Sequence, residues 1–494
     1  MGIRHRWNFE SVVDTLHQSE VCSVSVPVAG RLNIALIFPG PYALGISNLG
    51  YQTVHRLMGS VPGIGVERFF FPILAGQPHP PPFYSFETRR PLGDFDVLAF
   101  SISYEGDFDR LPDILGPLGI PIMAEKRGRH HPLLIAGGAA IGANAAAVSR
   151  VFDVLIPGEA ETTLPHVLQR LLEQGPSAEV VADLPGVWVP RCRVQVTDTS
   201  HPYDMNILPA YSHLVSPENV FQGARLIEVM RGCPRTCAFC LARVLYHPCR
   251  WLTHERFEWC LDTLVPADRL GLVAPSLFDH PHLVQILESL AARRIRLHNS
   301  SVKWEKLTAE VLNLLGRCGV KSLTLAPETG SAQLAASMGK TLLQERFFAT
   351  VDRCADQGIE RLKLYFMIGL PDETAEDLEQ TLAFVRTCAE RLSGRMQGLS
   401  VSFSGFVPKR RTAWEAKTVC DAGKLKKLFQ AVRRSLAELA PFVKFHAETP
   451  AQVLRQAYLA TVGPELAEEL ELEAKLWEAR GRRSISADLE QDYS

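Results

Sequence analysis

Residues 231–240 read Arg-Gly-Cys-Pro-Arg-Thr-Cys-Ala-Phe-Cys and set three thiols, Cys233, Cys237 and Cys240, at C-x3-C-x2-C spacing. On one short loop such thiols can converge on a single metal centre. Thiolates suit iron–sulfur clusters and zinc. A tetrahedral zinc asks for a fourth ligand at short spacing. The candidates here, His247 and Cys249, fall less regularly. Three thiolates on a 4Fe–4S cluster instead leave one iron open to a substrate or cofactor. The chain has 11 cysteines, and about a quarter of them fall in this decapeptide, which argues against incidental core cysteines. Burial as small hydrophobes suits most of the others.

Other groups able to do chemistry stand where apolar runs end. Ser276 and Asp279 follow one run, Ser300, Ser301 and Lys303 a second, Glu328 a third, and Gly369-Leu370-Pro371 a fourth. Each also has an ordinary structural reading. Glu328 suits a helix N-terminus, where the dipole favours a carboxylate. Lys303 suits a solvated surface, and the Gly-Leu-Pro turn suits a strand-to-helix junction with capping by Asp372 to Glu376.

The elements that must position these groups fall into three regions. From the start to about residue 190, continuous apolar runs (Leu32–Phe38, Asp96–Ser101, Leu133–Gly138, Asp153–Glu159) alternate with helical stretches such as Gly50–Met58 and Glu161–Glu173. Such runs suit strands buried on both faces, and the alternation predicts a doubly wound α/β sheet over residues 1–190. Ligands bind beyond the carboxyl ends of such strands. Tyr42, Ser101, Ser103, Gly137, Gly138, Gly158 and Glu159 fall at that edge. The stretch between the first two runs, residues 39–94, is rich in Pro and Phe, and Phe69-Phe70-Phe71-Pro72 suits packing at a domain interface.

Residues 191–222 read as a linker, rich in Pro, Asp and Ser. Over residues 223–420 six βα units, with strands near 226–229, 270–274, 296–300, 322–326, 361–368 and 399–403, predict a partial (β/α)6 barrel with active groups at the strand C-termini. Residues 421–494 read as a mainly helical extension. Lys409-Arg410-Arg411 and the Lys424–Arg434 stretch are basic, as a solvated helix face would be.

Composition narrows the class. The chain has 494 residues, 46% hydrophobic and 21% charged, with a formal charge of −2. That excludes a fibrous or disordered chain and carries no strong nucleic-acid signal. No window reaches the ~18 apolar residues of a membrane span, and Met1 to Glu10 lacks a signal-peptide core. A cytoplasmic protein is expected.

The cysteine loop after a first strand, with an aromatic before its last thiol, resembles the radical S-adenosylmethionine superfamily. Ala326-Pro327-Glu328-Thr329-Gly330-Ser331 and Leu364–Pro371 with Glu373 resemble that superfamily's later-strand motifs. Ala136-Gly137-Gly138, Ile156–Glu161 and Pro41–Gly50 resemble the cobalamin-binding-type domain that often precedes such cores, in a largely uncharacterised branch. The resemblance covers about residues 30 to 410. It implies that Cys233, Cys237 and Cys240 hold a 4Fe–4S cluster at which S-adenosylmethionine is cleaved to a 5′-deoxyadenosyl radical. Phe239, Ser276, Ser301, Lys303, Glu328, Gly369 and Pro371 become candidates for holding S-adenosylmethionine. Tyr42, Ser101, Ser103, Gly137, Gly138, Gly158 and Glu159 become candidates for holding cobalamin. An electron donor of flavodoxin or ferredoxin type is implied as partner.

The Asp-x-His-x-x-Gly loop that supplies a cobalt ligand in many cobalamin domains is absent; the first histidine after the first strand is His55, inside a helix. Three function classes therefore stand: cobalamin-dependent methyl transfer to an unactivated carbon or phosphorus; cobalamin-independent radical rearrangement, oxidation or sulfur insertion; and a non-catalytic metal-cluster module. Before the cysteine loop only Cys22 and Cys192 occur, too few thiols for the second cluster of methylthiotransferases.

Overall fold

A computed structural model describes residues 3–75, 83–192, 202–264, 267–299 and 302–479. The chain divides into two units, Met1–Asp204 with Ala210–Arg225 and Thr461–Ser494, and Met205–Pro209 with Leu226–Ala460. The stretch from residue 421, expected to be one helical extension, is thus shared between them. It also holds a strand, Val443–Ala447.

The first unit is built on five parallel strands: β1 (Leu32–Phe38), β2 (Ile64–Phe70), β3 (Val97–Ser101), β4 (Leu133–Gly137) and β5 (Val154–Ile156), in the order β2-β1-β3-β4-β5. The apolar runs form strands because both faces are covered; six of the seven residues of β1 are buried. Burying one such Leu or Ile side chain contributes about 1.5–3 kcal/mol. Helices Leu49–Gly59 and Ala160–Gln174 are among the covering elements, and the first is capped by Asn48, whose side chain accepts from the Tyr51 N–H at 2.9 Å.

Strand β2 corrects the sequence reading of residues 39–94. Its centre carries two charged residues, Glu67-Arg68, yet every residue of the strand is buried. Each charge has partners. Ser85 and Thr88 donate to Glu67 at 2.6 and 2.7 Å. The Arg68 guanidinium lies between Glu20 (2.7 Å) and Glu87 (2.5 Å) and over the Phe86 ring, 4.6 Å from its centroid. Phe69, Phe70 and Phe71 are interior residues of this unit, packed on Phe95, Tyr42 and Phe83.

The chain returns to the first unit at its end. Helix Leu466–Ala479 packs on Leu111–Leu115 and buries Leu466, Ala467, Leu470 and Ala474. Glu468 pairs with Arg150 at 2.7 Å.

The second unit carries β6 (Arg225–Glu228), β7 (Arg269–Val273), β8 (Arg296–Asn299), β9 (Ser322–Glu328), β10 (Arg361–Ile368), β11 (Gly398–Gly405) and β12 (Val443–Ala447). β8-β7-β6 form one sheet and β9-β10-β11-β12 another, joined by a parallel bridge between Val302 and Leu325. The first six are the strands expected of a partial (β/α)6 barrel, and β12 extends its edge. Side chains alternate as a pleated strand requires: Leu362, Leu364, Phe366 and Ile368 of β10 are buried, while Lys363, Tyr365 and Met367 between them are not. Helices Ala309–Arg317 and Ala375–Leu392 begin at Thr308 and Thr374, whose hydroxyls accept from the amides three residues on. The second is a full capping box with Asp377, so its cap is Thr374. Among the described residues no helix is long and apolar enough to cross a membrane.

Candidate active site

The cysteine loop is a closed excursion from the barrel. Met230–Arg231 pairs antiparallel with Arg250–Trp251, clasping the segment between them. Gly232 stands in the clasp at φ +75°, where a β-carbon would lie 2.3 Å from the Tyr246 carbonyl oxygen. Only glycine permits that approach. Arg231 holds Glu228 at 2.7 Å, and Arg250 donates to the Pro248 carbonyl at 3.0 Å. The far side of the loop is pinned by Ala238, which donates to Met338 (3.0 Å) and accepts from Trp414 (3.2 Å). Phe239 packs beside Trp414, ring centroids 6.3 Å apart.

Cys233, Cys237 and Cys240 line one cavity of about 970 Å³, together with Phe239, Ser276, Lys303 and Glu328. Seven of the groups singled out from sequence thus converge. Gly369 and Pro371 are not part of that wall. Gly369 turns the chain at φ +69°, its amide donating to the Glu373 carboxylate at 2.5 Å. Ser300 and Ser301 lie outside the described residues.

Two carboxylates organise the cavity's charge. Asp279 accepts a two-pronged pair from Arg235 (2.7 and 2.5 Å), a hydrogen bond from Ser276 (2.7 Å) and an ion pair from Lys303 (3.1 Å). Burial alone would raise the Asp279 carboxyl; these three partners outweigh it and hold it well below the usual carboxylate range. Lys303, read from sequence as a solvated side chain, is therefore tied down. Glu328 ends β9 after a register shift and holds φ +67°, a backbone state rare for a side-chain-bearing residue. Lys340 fixes it at 2.7 Å, donates to the Ala326 carbonyl at 3.0 Å and sits 5.8 Å from the Phe239 ring centroid. Burial pushes the Cys240 thiol up, and Lys340 is among the groups that oppose this.

Arg235, Asp279 and Lys340 are the important groups that sequence reasoning missed or ranked low. The Arg235–Asp279 pair spans 44 positions and the Lys340–Glu328 pair 12, which no local pattern records. A faint local signal existed for Lys340: it follows Gly339, whose φ is +76° and whose β-carbon would lie 2.9 Å from the Thr236 carbonyl oxygen of the cysteine loop.

The donor set suits an iron–sulfur cluster: three thiols, neighbouring cations and cavity space beside them. Among the described residues no three His, Cys, Asp or Glu side chains are gathered as a single metal ion would need. A multi-iron cluster spreads its thiolates over several atoms, wider than the ligands of one tetrahedral ion.

In the first unit the strand order reverses between β1 and β3, where open α/β sheets bind ligands. The residues named there are largely engaged. Tyr42 is 1% exposed, stacks on Phe86 and donates to Glu20 at 2.8 Å. Ser101 is buried, and Ser103 accepts from Asn48 at 2.9 Å. Gly137 ends β4, and a β-carbon on Gly138 would lie 2.4 Å from the Ile102 carbonyl oxygen. Gly158 is half-buried, and Glu159 accepts from the Tyr203 amide at 3.1 Å. His55 is buried 3.0 Å from His213, ring on ring, as a packing residue. These residues offer no imidazole to cobalt, so a corrinoid here would be held by shape and hydrogen bonds.

Comparison with known proteins matches residues 50–190 to the family "Radical SAM proteins, N-terminal" and residues 227–385 to the "Radical SAM superfamily", more than half of the chain between them. The uncharacterized protein MJ0966 of Methanocaldococcus jannaschii is 25% identical over 390 residues, covering 78% of this chain and 79% of that protein. The heme chaperone HemW of Bacillus subtilis is 31% identical over 78 residues, 16% of this chain and 21% of that one. Among solved structures, the radical S-adenosylmethionine methyltransferase TsrM of Kitasatospora setae, with cobalamin and a [4Fe-4S] cluster bound, superposes with a TM-score of 0.55 at 12% identity, over 90% of this chain and 99% of that one. The cobalamin-dependent radical enzyme OxsB, with aqua-cobalamin and S-adenosylmethionine bound, gives 0.50 at 14% identity, over 92% of this chain and 66% of that one. At these identities the likeness is one of fold. With both family matches and the two-unit fold in agreement, the chain belongs to the radical S-adenosylmethionine superfamily, in a branch whose first domain has the cobalamin-binding-type fold.

Proposed function

We propose that this protein reductively cleaves S-adenosylmethionine at a 4Fe–4S cluster held by Cys233, Cys237 and Cys240, and applies the resulting radical to a substrate in the same cavity. The observation that carries the reading is the convergence of three loop thiols with Phe239, Ser276, Lys303 and Glu328 on one cavity at the strand C-termini. When bound, a cluster with one open iron supplies the electron for the cleavage.

The chain's own residues do the positioning. Arg235, tied to Asp279, braces the loop between its first two thiols. Glu328, held by Lys340, offers its second carboxylate oxygen as acceptor for amino or ribose hydroxyl groups. Lys303, restrained by Asp279, stands ready for a carboxylate. Phe239 presents an aromatic wall for adenine. An external electron donor of flavodoxin or ferredoxin type would supply reducing equivalents.

The finer reading is methyl transfer to an unactivated carbon or phosphorus with cobalamin in the first unit. Its support is the fold of that unit and the order reversal between β1 and β3.

One experiment tests both levels. The protein is reconstituted anaerobically with iron, sulfide and hydroxocobalamin, reduced, and examined by electron paramagnetic resonance with and without S-adenosylmethionine. A cluster signal that changes on adding S-adenosylmethionine supports an open iron. An unchanged signal contradicts it. Cobalt retained after gel filtration favours methyl transfer, and iron without cobalt favours cobalamin-independent radical chemistry.

A further inference from the structure

The wall of the cavity formed by helix Gln344–Asp356 and the turn Trp304–Lys306 has a role the cluster chemistry does not use. Arg346, Ala349, Thr350 and Arg353 line the cavity at offsets of three, four and seven, so they form one stripe of the helix. Arg346 and Arg353 sit two turns apart, about 10 Å along the axis, a span that two guanidinium arms can close. Ala349 between them leaves room. The geometry is braced: Trp304 meets Phe347 edge to face at 5.5 Å, and Arg353 donates from one guanidinium nitrogen to the Leu307 carbonyl at 2.8 Å.

Charge distinguishes this wall from the cysteine side. Six cationic side chains and two carboxylates, Glu305 and Glu328, line the cavity, and Asp279 stands behind Arg235 and Lys303. Arg235 and Lys303 are matched by Asp279, and Lys340 by Glu328. Lys306, Arg346 and Arg353 have no carboxylate partner among the described residues, and Glu305 is the one carboxylate on their wall. The wall therefore carries an excess of two positive charges in a chain whose net charge is −2. The cofactors do not absorb it. A cluster held by three thiolates is about one charge negative when oxidised and about two when reduced, and S-adenosylmethionine about one charge positive, so the pair runs from neutral to about one negative charge, on the cysteine side of the cavity. A phosphate monoester carries about −1.5 to −2 at neutral pH and accepts two-pronged hydrogen bonds from arginine.

We infer that the substrate of this cavity carries a phosphate group, held by Lys306, Arg346 and Arg353. The inference rests on reading the cavity as the reaction chamber.

The test is calorimetric titration of the reconstituted protein with phenyl phosphate, benzoate and phenol at low salt, which share a ring and differ in charge. Phenyl phosphate binds most tightly, benzoate more weakly and phenol least. Arg346→Gln weakens phenyl phosphate by about tenfold, the value of one charged contact, and Arg346→Gln with Lys306→Gln weakens it further. Both side chains are exposed and form no ion pair among the described residues, so melting temperatures stay unchanged. Phenyl phosphate binding no better than phenol, or equally in wild type and Arg346→Gln, overturns the inference. Iron uptake and S-adenosylmethionine cleavage are measured on the same samples. Cleavage without selective phosphate binding sinks this inference alone. Arg346-dependent phosphate binding without iron supports it and sinks the radical reading.

Discussion

Replacing Asp279 by Asn should uncouple the barrel from the cysteine loop. The wild-type carboxylate is only 9% exposed and receives Arg235, Ser276 and Lys303 at 2.5–3.1 Å. A hydrogen bond to a charged group contributes about 1.5–3 kcal/mol. Asparagine keeps one acceptor oxygen, and the Arg235 and Lys303 side chains are 40% and 27% exposed, so water recovers part of the loss. The expected cost is about 2–3 kcal/mol. For a domain of this size that lowers the melting temperature by about 5–10 °C. The sign of the pH dependence follows from the folded carboxyl lying below its unfolded value of about 3.9. Its stabilisation is complete above about pH 4 and is lost as the pH falls further toward the folded value. Thermal unfolding of wild type and Asp279→Asn, purified without added iron, should show a constant gap from pH 5 to 8 that narrows below about pH 4. A gap under about 1 °C at pH 7, or one that persists unchanged at pH 3, would refute the reasoning.

Three other perturbations have defined outcomes. Arg68→Leu strands Glu20 and Glu87 in the interior of the first unit and should cost about 3–5 kcal/mol, read as a lower urea midpoint. Gly330→Ala places a β-carbon 2.6 Å from the Thr381 Cα and 2.7 Å from the Gln380 carbonyl oxygen, so helix Ala375–Leu392 must shift at a cost of about 1–3 kcal/mol in the same assay. Burial holds His213 down to about 3 and His280 down to about 4, below the unfolded value of about 6.5. Their contribution is intact above about pH 6.5 and is lost as the pH falls toward 4, so wild-type melting should decline across that window and His280→Gln should flatten the slope.

What the sequence made legible follows from where its signals reside. The thiol spacing is local, and Cys233, Cys237 and Cys240 do share one cavity. Strands buried on both faces announce themselves as unbroken apolar runs, as β1 and β4 do. Strand β2 hid because Glu67 and Arg68 find partners from residues 18 to 48 positions away, which no local pattern records. Strand β12, Val-Lys-Phe-His-Ala, hid although it alternates, because it is only five residues long and lies at the sheet edge with Val443 alone fully buried. Tyr42 stands at the expected ligand edge by position, but its ring turns into the core against Phe70 and Phe86. Arg235 and Lys340 escaped because the carboxylates they pair with, Asp279 and Glu328, lie 44 and 12 positions away in the chain. Turn glycines such as Gly138 and Gly369 are visible as glycines, yet their use as tight turns rather than ligand contacts needs the neighbouring backbone.

The central claim is that Cys233, Cys237 and Cys240 hold the cluster at which S-adenosylmethionine is cleaved. The most direct measurement compares 5′-deoxyadenosine formation by anaerobically reconstituted wild type and the triple variant Cys233→Ala/Cys237→Ala/Cys240→Ala, with iron determined on the same samples. The account predicts roughly four irons per chain and reductant-dependent cleavage in wild type, with both lost in the variant. Cleavage that survives the triple substitution, or a wild type that takes up zinc and no iron, would contradict it.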